Sequence, residues 1–331
     1  MKHNTTLKRI SQILDMSIST VSRALKDHPD ISEKTKKKVL ELATALEYEP
    51  NTNAINLRTN NSRVFGLIVP YVSHYFYDTF ISSVEEECRK NGYSLMILQS
   101  WDDPETELNN LKLCRQNRVT GVFACISPST TDIKAFLKLE ELDIPLIFFD
   151  KVPDFEACNK VCLADKQAAK IAADVIIRKQ KKKALGLFGN AQMSITKKRL
   201  DTFIDAFDPN ISKTELVKDF ALSSDEAYDK TIAYLTAKNI PDTIFCMSDE
   251  ILIGVMKAVQ KLQLKMPENI SVITISNGII PKMYYPEITY AETSGFKLGK
   301  LAFTRMMACL SGSTFMQELT VESLLVEGGS I

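Results

Sequence analysis

Apolar positions along residues 7–46 recur at helical spacing in three short blocks. Leu7, Ile10, Ile13 and Leu14 form one stripe, with Thr6 placed to cap it. Asp15-Met16 interrupts the pattern. Ser17 then caps a second block, Ile18–Leu25, with Ile18, Val21 and Leu25 on one face. Lys26–Ile31 contains Pro29 and reads as a loop. Ser32 opens a longer helix to about Leu46, with Val39, Leu42, Ala43 and Leu46 inward and Glu33 in the first turn, where the helix dipole favours an anion. Tyr48–Asn51 ends this unit. Thr52–Leu57 has room for one or two helical turns, and Arg58–Arg63 reads as a linker.

From Val64 the texture changes. Strand-length apolar runs (Val64–Val69, Ser94–Leu98, Gly121–Ile126, Pro145–Phe149, Ala184–Phe188, Thr243–Met247, Ile270–Ile275) alternate with amphipathic stretches of helix length. Those stretches are Tyr75–Asn91, Glu105–Gln116, Thr131–Leu142, Lys166–Lys179, Thr196–Phe207, Asp225–Lys238 and Glu250–Leu262. Strictly alternating β and α segments predict parallel sheets covered by helices, and continuous runs such as Leu146-Ile147-Phe148-Phe149 suit strands buried on both faces. The series is too long for one small sheet and divides near Asp150–Asp165 into two lobes.

With 331 residues the chain exceeds one ordinary core, and its 45% apolar and 25% charged residues are those of a globular protein. No run approaches the ~18 apolar residues of a membrane span, and the polar, basic start lacks the apolar core of a signal peptide. The expected location is therefore the cytoplasm. The net charge is zero, yet residues 1–63 hold 11 lysines and arginines against 7 acidic residues, and the remainder hold 30 against 34. A basic head on an acidic body permits nucleic-acid contact at the N-terminus. The seven cysteines are scattered and read as reduced, buried thiols. Cys158 and Cys162 are the nearest pair, but no further ligand stands at zinc spacing, so no metal site is expected. His3, His28 and His74 are far apart, and no catalytic constellation or Gly-rich phosphate loop is present, so no enzyme is expected. His74 reads as a surface histidine, with a place at a ligand cleft as the alternative, Trp101 as part of a strand-end loop facing such a cleft or a dimer partner, and Lys179–Lys183 as a solvated charge run rather than a second DNA site.

The strongest motif is a helix, a tight turn and a second helix opening Ser17-Ile18-Ser19-Thr20-Val21-Ser22-Arg23. Small hydroxyl residues at a helix start can bond phosphates and base edges without holding the helix out of the major groove, and Arg23 can reach a phosphate or guanine. This segment, together with Ile31-Ser32-Glu33-Lys34-Thr35, Tyr48-Glu49-Pro50-Asn51 and Ala54-Ile55-Asn56-Leu57-Arg58-Thr59, resembles the DNA-binding head of the lactose-repressor (LacI/GalR-type) family of bacterial transcription regulators. Val64–Pro70, Gly92-Tyr93, Val119–Val122, Ile144–Ile147, Arg199 with Phe203, Ser248-Asp249 with Gly254, Pro286–Thr289 and Leu298-Gly299 match later landmarks of that family in order and spacing.

The resemblance implies a helix-turn-helix head (1–50), a hinge helix and linker (51–63), and an effector-binding and dimerisation core (64–331) of two Rossmann-like lobes like those of periplasmic binding proteins. The N-lobe would take about 64–162 and 292–318, and the C-lobe about 163–291 and the C-terminal segment. Ile18, Ser19 and Arg23 match base-reading or DNA-contacting positions. Thr6, Ser17, Thr20, Ser22 and Asn51 match residues that position the DNA backbone. Ala54 and Leu57, with Arg58 following, belong to the minor-groove hinge, Leu57 being the wedge at the central base step. The resemblance places the effector near Phe76, Tyr77, Asp150, Arg199, Phe220, Ser248 and Asp249. Two departures fall in this pocket: Ser276 stands where the family has a carboxylate, and Thr293 where it often has glutamine. Lys151 replaces an arginine, and Asp15 replaces the glycine of the head's turn.

The implied function is a dimeric, allosteric regulator of a pseudo-palindromic double-stranded operator, a repressor rather than an activator. A small molecule such as a sugar controls it, and no cofactor or membrane takes part. No leucine heptad follows Leu325, which points to a dimer rather than a tetramer. The rival is a solute-binding protein for sugar transport.

Overall fold

In the computed structural model, residues 6–48, 62–208 and 212–331 are described. The hinge residues Asn51, Ala54, Leu57 and Arg58 lie outside them. Two compact units result, one ending at Ser62 and the other running from Arg63 to the end.

The first unit holds α1 (Leu7–Leu14), α2 (Ile18–Leu25) and α3 (Glu33–Ala45). Each begins at a hydroxyl cap: Thr6, Ser17 and Ser32 accept the backbone N–H of Arg9, Thr20 and Thr35. Caps of this kind stabilise a helix by about 1 kcal/mol each. Ile10, Val21, Ala24, Val39 and Ala43 form the buried centre. Asp15 makes the turn in left-handed backbone (φ 50°, ψ 48°), a conformation its short polar side chain tolerates.

The second unit is two layered α/β lobes. The first sheet has the order β11-β5-β4-β3-β1-β2, built from Val64–Val69 (β1), Ser94–Gln99 (β2), Gly121–Ala124 (β3), Leu146–Phe149 (β4), Asn159–Leu163 (β5) and Glu318–Val321 (β11). The second has the order β12-β10-β9-β8-β6-β7, from Lys183–Phe188 (β6), Glu215–Phe220 (β7), Thr243–Cys246 (β8), Ser271–Ser276 (β9), Thr289–Glu292 (β10) and Leu325–Val326 (β12). All pairings are parallel except β10 with β12. The helices are α4 (Tyr77–Lys90), α5 (Pro104–Gln116), α6 (Lys134–Leu137), α7 (Asp165–Arg178), α8 (Ser194–Ala206), α9 (Ser224–Leu235), α10 (Asp249–Lys261) and α11 (Gly295–Leu310).

In β4, Ile147 and Phe149 enter the core on one face of the first sheet, and Leu146 and Phe148 the core on the other. Phe149 stacks on Phe80 of α4 with ring centres 3.8 Å apart. The chain passes between lobes three times, after β5, β10 and β11. The three crossings are tied together: Ser323 Oγ donates to the carbonyl of Glu292 (2.8 Å), and Ser323 N–H donates to Gln167 Oε1 (2.9 Å).

Several elements differ from the sequence reading. The helix expected over 131–142 is a single turn, α6, followed by a 3₁₀ turn at Glu140–Leu142. Ile133, Phe136 and Leu139 repeat every three residues, the period of the tighter helix. Five strands, β5, β7, β10, β11 and β12, were not expected; β7 reads Glu-Leu-Val-Lys-Asp-Phe and lies at a sheet edge, where polar residues are tolerated. Helix α11 was also unexpected, because Gly295 and Gly299 weaken its helical signal. A Cβ on Gly299 would stand 2.9 Å from the carbonyl oxygen of Phe80 and 2.8 Å from Ser83 Cβ, so close packing of α11 on α4 requires the glycine.

Candidate functional site: a hydroxyl-rich helix start and an interlobe cleft

The N-terminus of α2 carries a cluster of small hydroxyls. Ser17 Oγ accepts the N–H of Thr20 (3.0 Å) and lies 2.7 Å from Ser19 Oγ and 2.8 Å from Thr20 Oγ1. Ser17, Ser19 and Arg23 are exposed, Thr20 and Ser22 are half-buried, and Thr6 is exposed at the start of α1. Ile18 is an apolar side chain left 48% exposed at the first position of α2. Helix dipole, free N–H groups and hydroxyls together make this end attractive to phosphate. The loop beyond is braced by Lys36, which pairs with Asp27 (2.6 Å) and Glu33 (2.8 Å).

In the second unit, the strand ends and the loops after them enclose a cleft of about 580 Å³. Ligands of open parallel sheets occupy this position. Of the residues the resemblance singled out, Phe76, Tyr77, Asp150, Arg199, Ser248, Asp249, Ser276 and Thr293 line it. Phe220 does not. It ends β7 with its ring packed toward Phe188 (6.4 Å) in the lobe core, and the next two residues, Ala221 and Leu222, reach the cleft instead. His74 takes the alternative of its two expected places and opens on the cleft beside Tyr77, with ring centres 5.0 Å apart. Tyr71 and Tyr75, which the sequence reading passed over, add to this aromatic wall. Their only sequence signal is the density of aromatics just after β1. Trp101 is 61% exposed and stacks edge-on to Tyr71, while its neighbour Asp102 lines the cleft.

The charges of the cleft are mostly internally paired. Arg199, nearly buried, donates through Nε to Asp165 Oδ1 (2.9 Å) and through Nη1 to the carbonyl of Met247 (2.9 Å); its Nη2 also pairs with Asp165 (2.8 Å). Burial pushes the Asp165 carboxyl above its ordinary range, and Arg199 opposes this. Lys151 reaches both oxygens of Asp102, at 2.6 and 2.8 Å. Burial works against its ammonium, but the neighbouring Cys125 and the Asp102 pair leave its pKa above the usual value. Asp150, in left-handed backbone (φ 56°), accepts from the Tyr77 hydroxyl at 2.8 Å. Burial, with Asp150 and Cys125 nearby, pushes that phenol well up. Desolvation lowers the His74 pKa against the pull of Asp150 and Glu250, so the ring is neutral at pH 7. Between the lobes, Asn277 Nδ2 donates to the carbonyl of Tyr75.

Asp249 starts α10 and accepts from the Ser276 hydroxyl, yet burial pushes its pKa up to about 6. The folded pKa exceeds the ordinary 3.8, so the folded state favours the protonated form and the penalty for ionisation grows as pH rises from about 4 to about 6. Asp249→Asn keeps an oxygen for Ser276 and removes the charge. It is expected to stabilise the protein at pH 7.5 by about 1–2 kcal/mol, the gain vanishing below about pH 4. Urea denaturation of variant and parent across that range checks this; a pH-independent difference would contradict it.

Residues 6–51 match the model of bacterial regulatory proteins of the lacI family, and residues 62–321 that of periplasmic binding proteins and the sugar binding domain of the LacI family. The chain belongs to the LacI family of bacterial regulatory proteins, and it is a DNA-binding transcription regulator with a small-molecule domain. It is 25% identical over 300 residues to the HTH-type transcriptional repressor PurR of Vibrio vulnificus, covering 90% of each protein. Its fold superposes on the Lac repressor dimer bound to operator and the anti-inducer ONPF with TM-score 0.88 and 18% identity, over 99% of each chain. A LacI family transcriptional regulator of Enterococcus faecalis with bound ribose gives TM-score 0.70 at 21% identity, over 81% of this chain and 98% of that one. The transport reading falls, because the regulatory head and the ligand domain are matched in one chain. Among the described residues no cluster suits a metal ion and no helix is long and apolar enough to cross a membrane.

Proposed function

We propose that this regulator is a repressor that binds a pseudo-palindromic operator as a homodimer, working in the cytoplasm on chromosomal DNA. In this reading Ile18, Ser19 and Arg23 read bases, and Thr6, Ser17, Thr20, Ser22 and Asn51 hold phosphates. Ala54, Leu57 and Arg58 engage the minor groove, with the central base step opened by Leu57. A small molecule in the cleft contacts Phe76, Tyr77, Asp150, Arg199, Ser248, Asp249, Ser276 and Thr293. By binding one lobe arrangement better than the other it shifts operator affinity. The observation that carries the reading is the pairing, in one chain, of an exposed hydroxyl-and-isoleucine helix start with a polar-lined interlobe cleft. The bound sugar of the Enterococcus faecalis relative supports a sugar or similar metabolite as effector.

Selection of bound sequences from random duplex DNA with the full-length protein tests this. A two-fold symmetric site is expected, with half-sites about one helical turn apart and a flexible central step. Equal affinity for all sequences at low salt would reject specific regulation.

A further inference from the structure

The effector cleft holds two cations, each already neutralised by a carboxylate of the protein. Lys151 is held by both oxygens of Asp102, and Arg199 by the buried Asp165. On the same walls stand three more carboxylates, Asp150, Asp249 and Glu250, and among the described residues none of them pairs with a lysine or arginine. Asp150 follows β4 in one lobe, and Asp249 and Glu250 open α10 in the other, so the unmatched charge flanks the cleft from both sides.

The partners these carboxylates do have are neutral donors that leave acceptor capacity. The Tyr77 hydroxyl and the Cys125 thiol both reach Asp150 Oδ2, so Oδ1 remains for a ligand. Among the described residues Asp249 receives the Ser276 hydroxyl and a long backbone contact from Asn277. Burial pushes the pKa of Asp249 up to about 6 against the Ser276 hydroxyl and the weaker pull of Arg199, which is itself bonded to Asp165. His74 is neutral at pH 7 and does not supply the missing charge. The rings of Tyr71, Tyr75, Phe76 and Tyr77 line the same cleft, and an aromatic face attracts an ammonium as well as a sugar ring.

We propose that the effector is a small polyhydroxylated molecule carrying a protonated amine, seated against Asp150 and Asp249, rather than a neutral sugar or a phosphorylated one. A phosphate would meet three unmatched carboxylates and no available cation. A neutral sugar would donate hydroxyls to these carboxylates but would bring no positive charge to balance them. This inference rests on the cleft being the effector site.

The test is calorimetric titration of the full-length protein at pH 7.5. The ligands are glucosamine, galactosamine and mannosamine, each set beside its neutral parent sugar, its N-acetyl form and its 6-phosphate. The expected result is an amine binding about tenfold or more tightly than its parent and its acetyl form, about 1.4 kcal/mol. That preference should fall below about threefold in Asp150→Asn and in Asp249→Asn, variants that lose an uncompensated charge and fold by thermal melt. In Asp102→Asn, which frees Lys151, the 6-phosphate should gain on the amine. A neutral or phosphorylated ligand binding the parent protein as tightly as its amine overturns the proposal. So does the absence of measurable binding by every amine. A neutral sugar whose binding is lost in Asp150→Asn would keep the cleft as effector site while removing the amine.

Discussion

Arg199→Met is expected to destabilise the effector-binding unit by about 3–5 kcal/mol at pH 7.5. Arg199 and Asp165 are both nearly buried, and the guanidinium meets Asp165 through two nitrogens. Removing it leaves a carboxylate in a low-dielectric site with no cation, the most costly way to break an ion pair. The Asp165 pKa, already raised by burial, then rises further. Because a raised carboxyl is penalised only when ionised, the loss shrinks as pH falls through that new value. Asp165→Asn placed in the same background recovers much of the loss, since no charge is then left uncompensated. Urea midpoints of the parent, the two single variants and the double variant form the cycle that isolates the pair. A loss below about 1 kcal/mol would mean that water already solvates Asp165, contrary to its burial.

The second large effect falls on DNA. Ile18→Asp is expected to weaken binding to the selected operator by on the order of 100-fold, about 2.7 kcal/mol, while leaving folding intact. Ile18 occupies the first position of α2, where the helix dipole favours an acidic side chain, and it is half exposed, so the head loses little packing. On DNA the same carboxylate faces phosphates and removes an apolar contact with the groove. Fluorescence anisotropy against the operator, with circular dichroism as the folding control, reads both sides. Unchanged affinity would take α2 out of the recognition role. Arg23→Ala should cost less, about 1–2 kcal/mol, because it removes a contact without adding repulsion.

The head shows how far local sequence reaches. Thr6, Ser17 and Ser32 were readable as caps because a hydroxyl one residue ahead of an apolar helical stripe satisfies N–H groups within its own turn. Asp15 was readable as a turn residue for the same reason: its backbone preference is its own. The buried strands β1, β4, β6, β8 and β9 were equally legible, since burial on both faces writes a continuous apolar run. The edge strands β7, β11 and β12 wrote no such run, and in the interior strands β5 and β10 polar residues (Asn159 and Lys160, Thr289 and Glu292) interrupt it. Helix α11 was obscured by Gly295 and Gly299, whose reason for being glycine is α4, more than 200 residues earlier in the chain.

The sequence by itself determined the alternation of the fold and the capped helices of the head, because each depends on short-range periodicity or on a motif of contiguous residues; the residues expected at the cleft came from the family resemblance. Tertiary structure alone decided which charges in the cleft are already matched. Arg199 finds Asp165 across 34 positions and Lys151 finds Asp102 across 49, so that among the described residues Asp150 and Asp249 have no salt-bridge partner. It also turned Phe220 into the core and His74 into the cleft. The physical reason is that a side chain's type fixes what it can bond, whereas its partner is whatever charge or ring the packing of two lobes brings within a few ångströms.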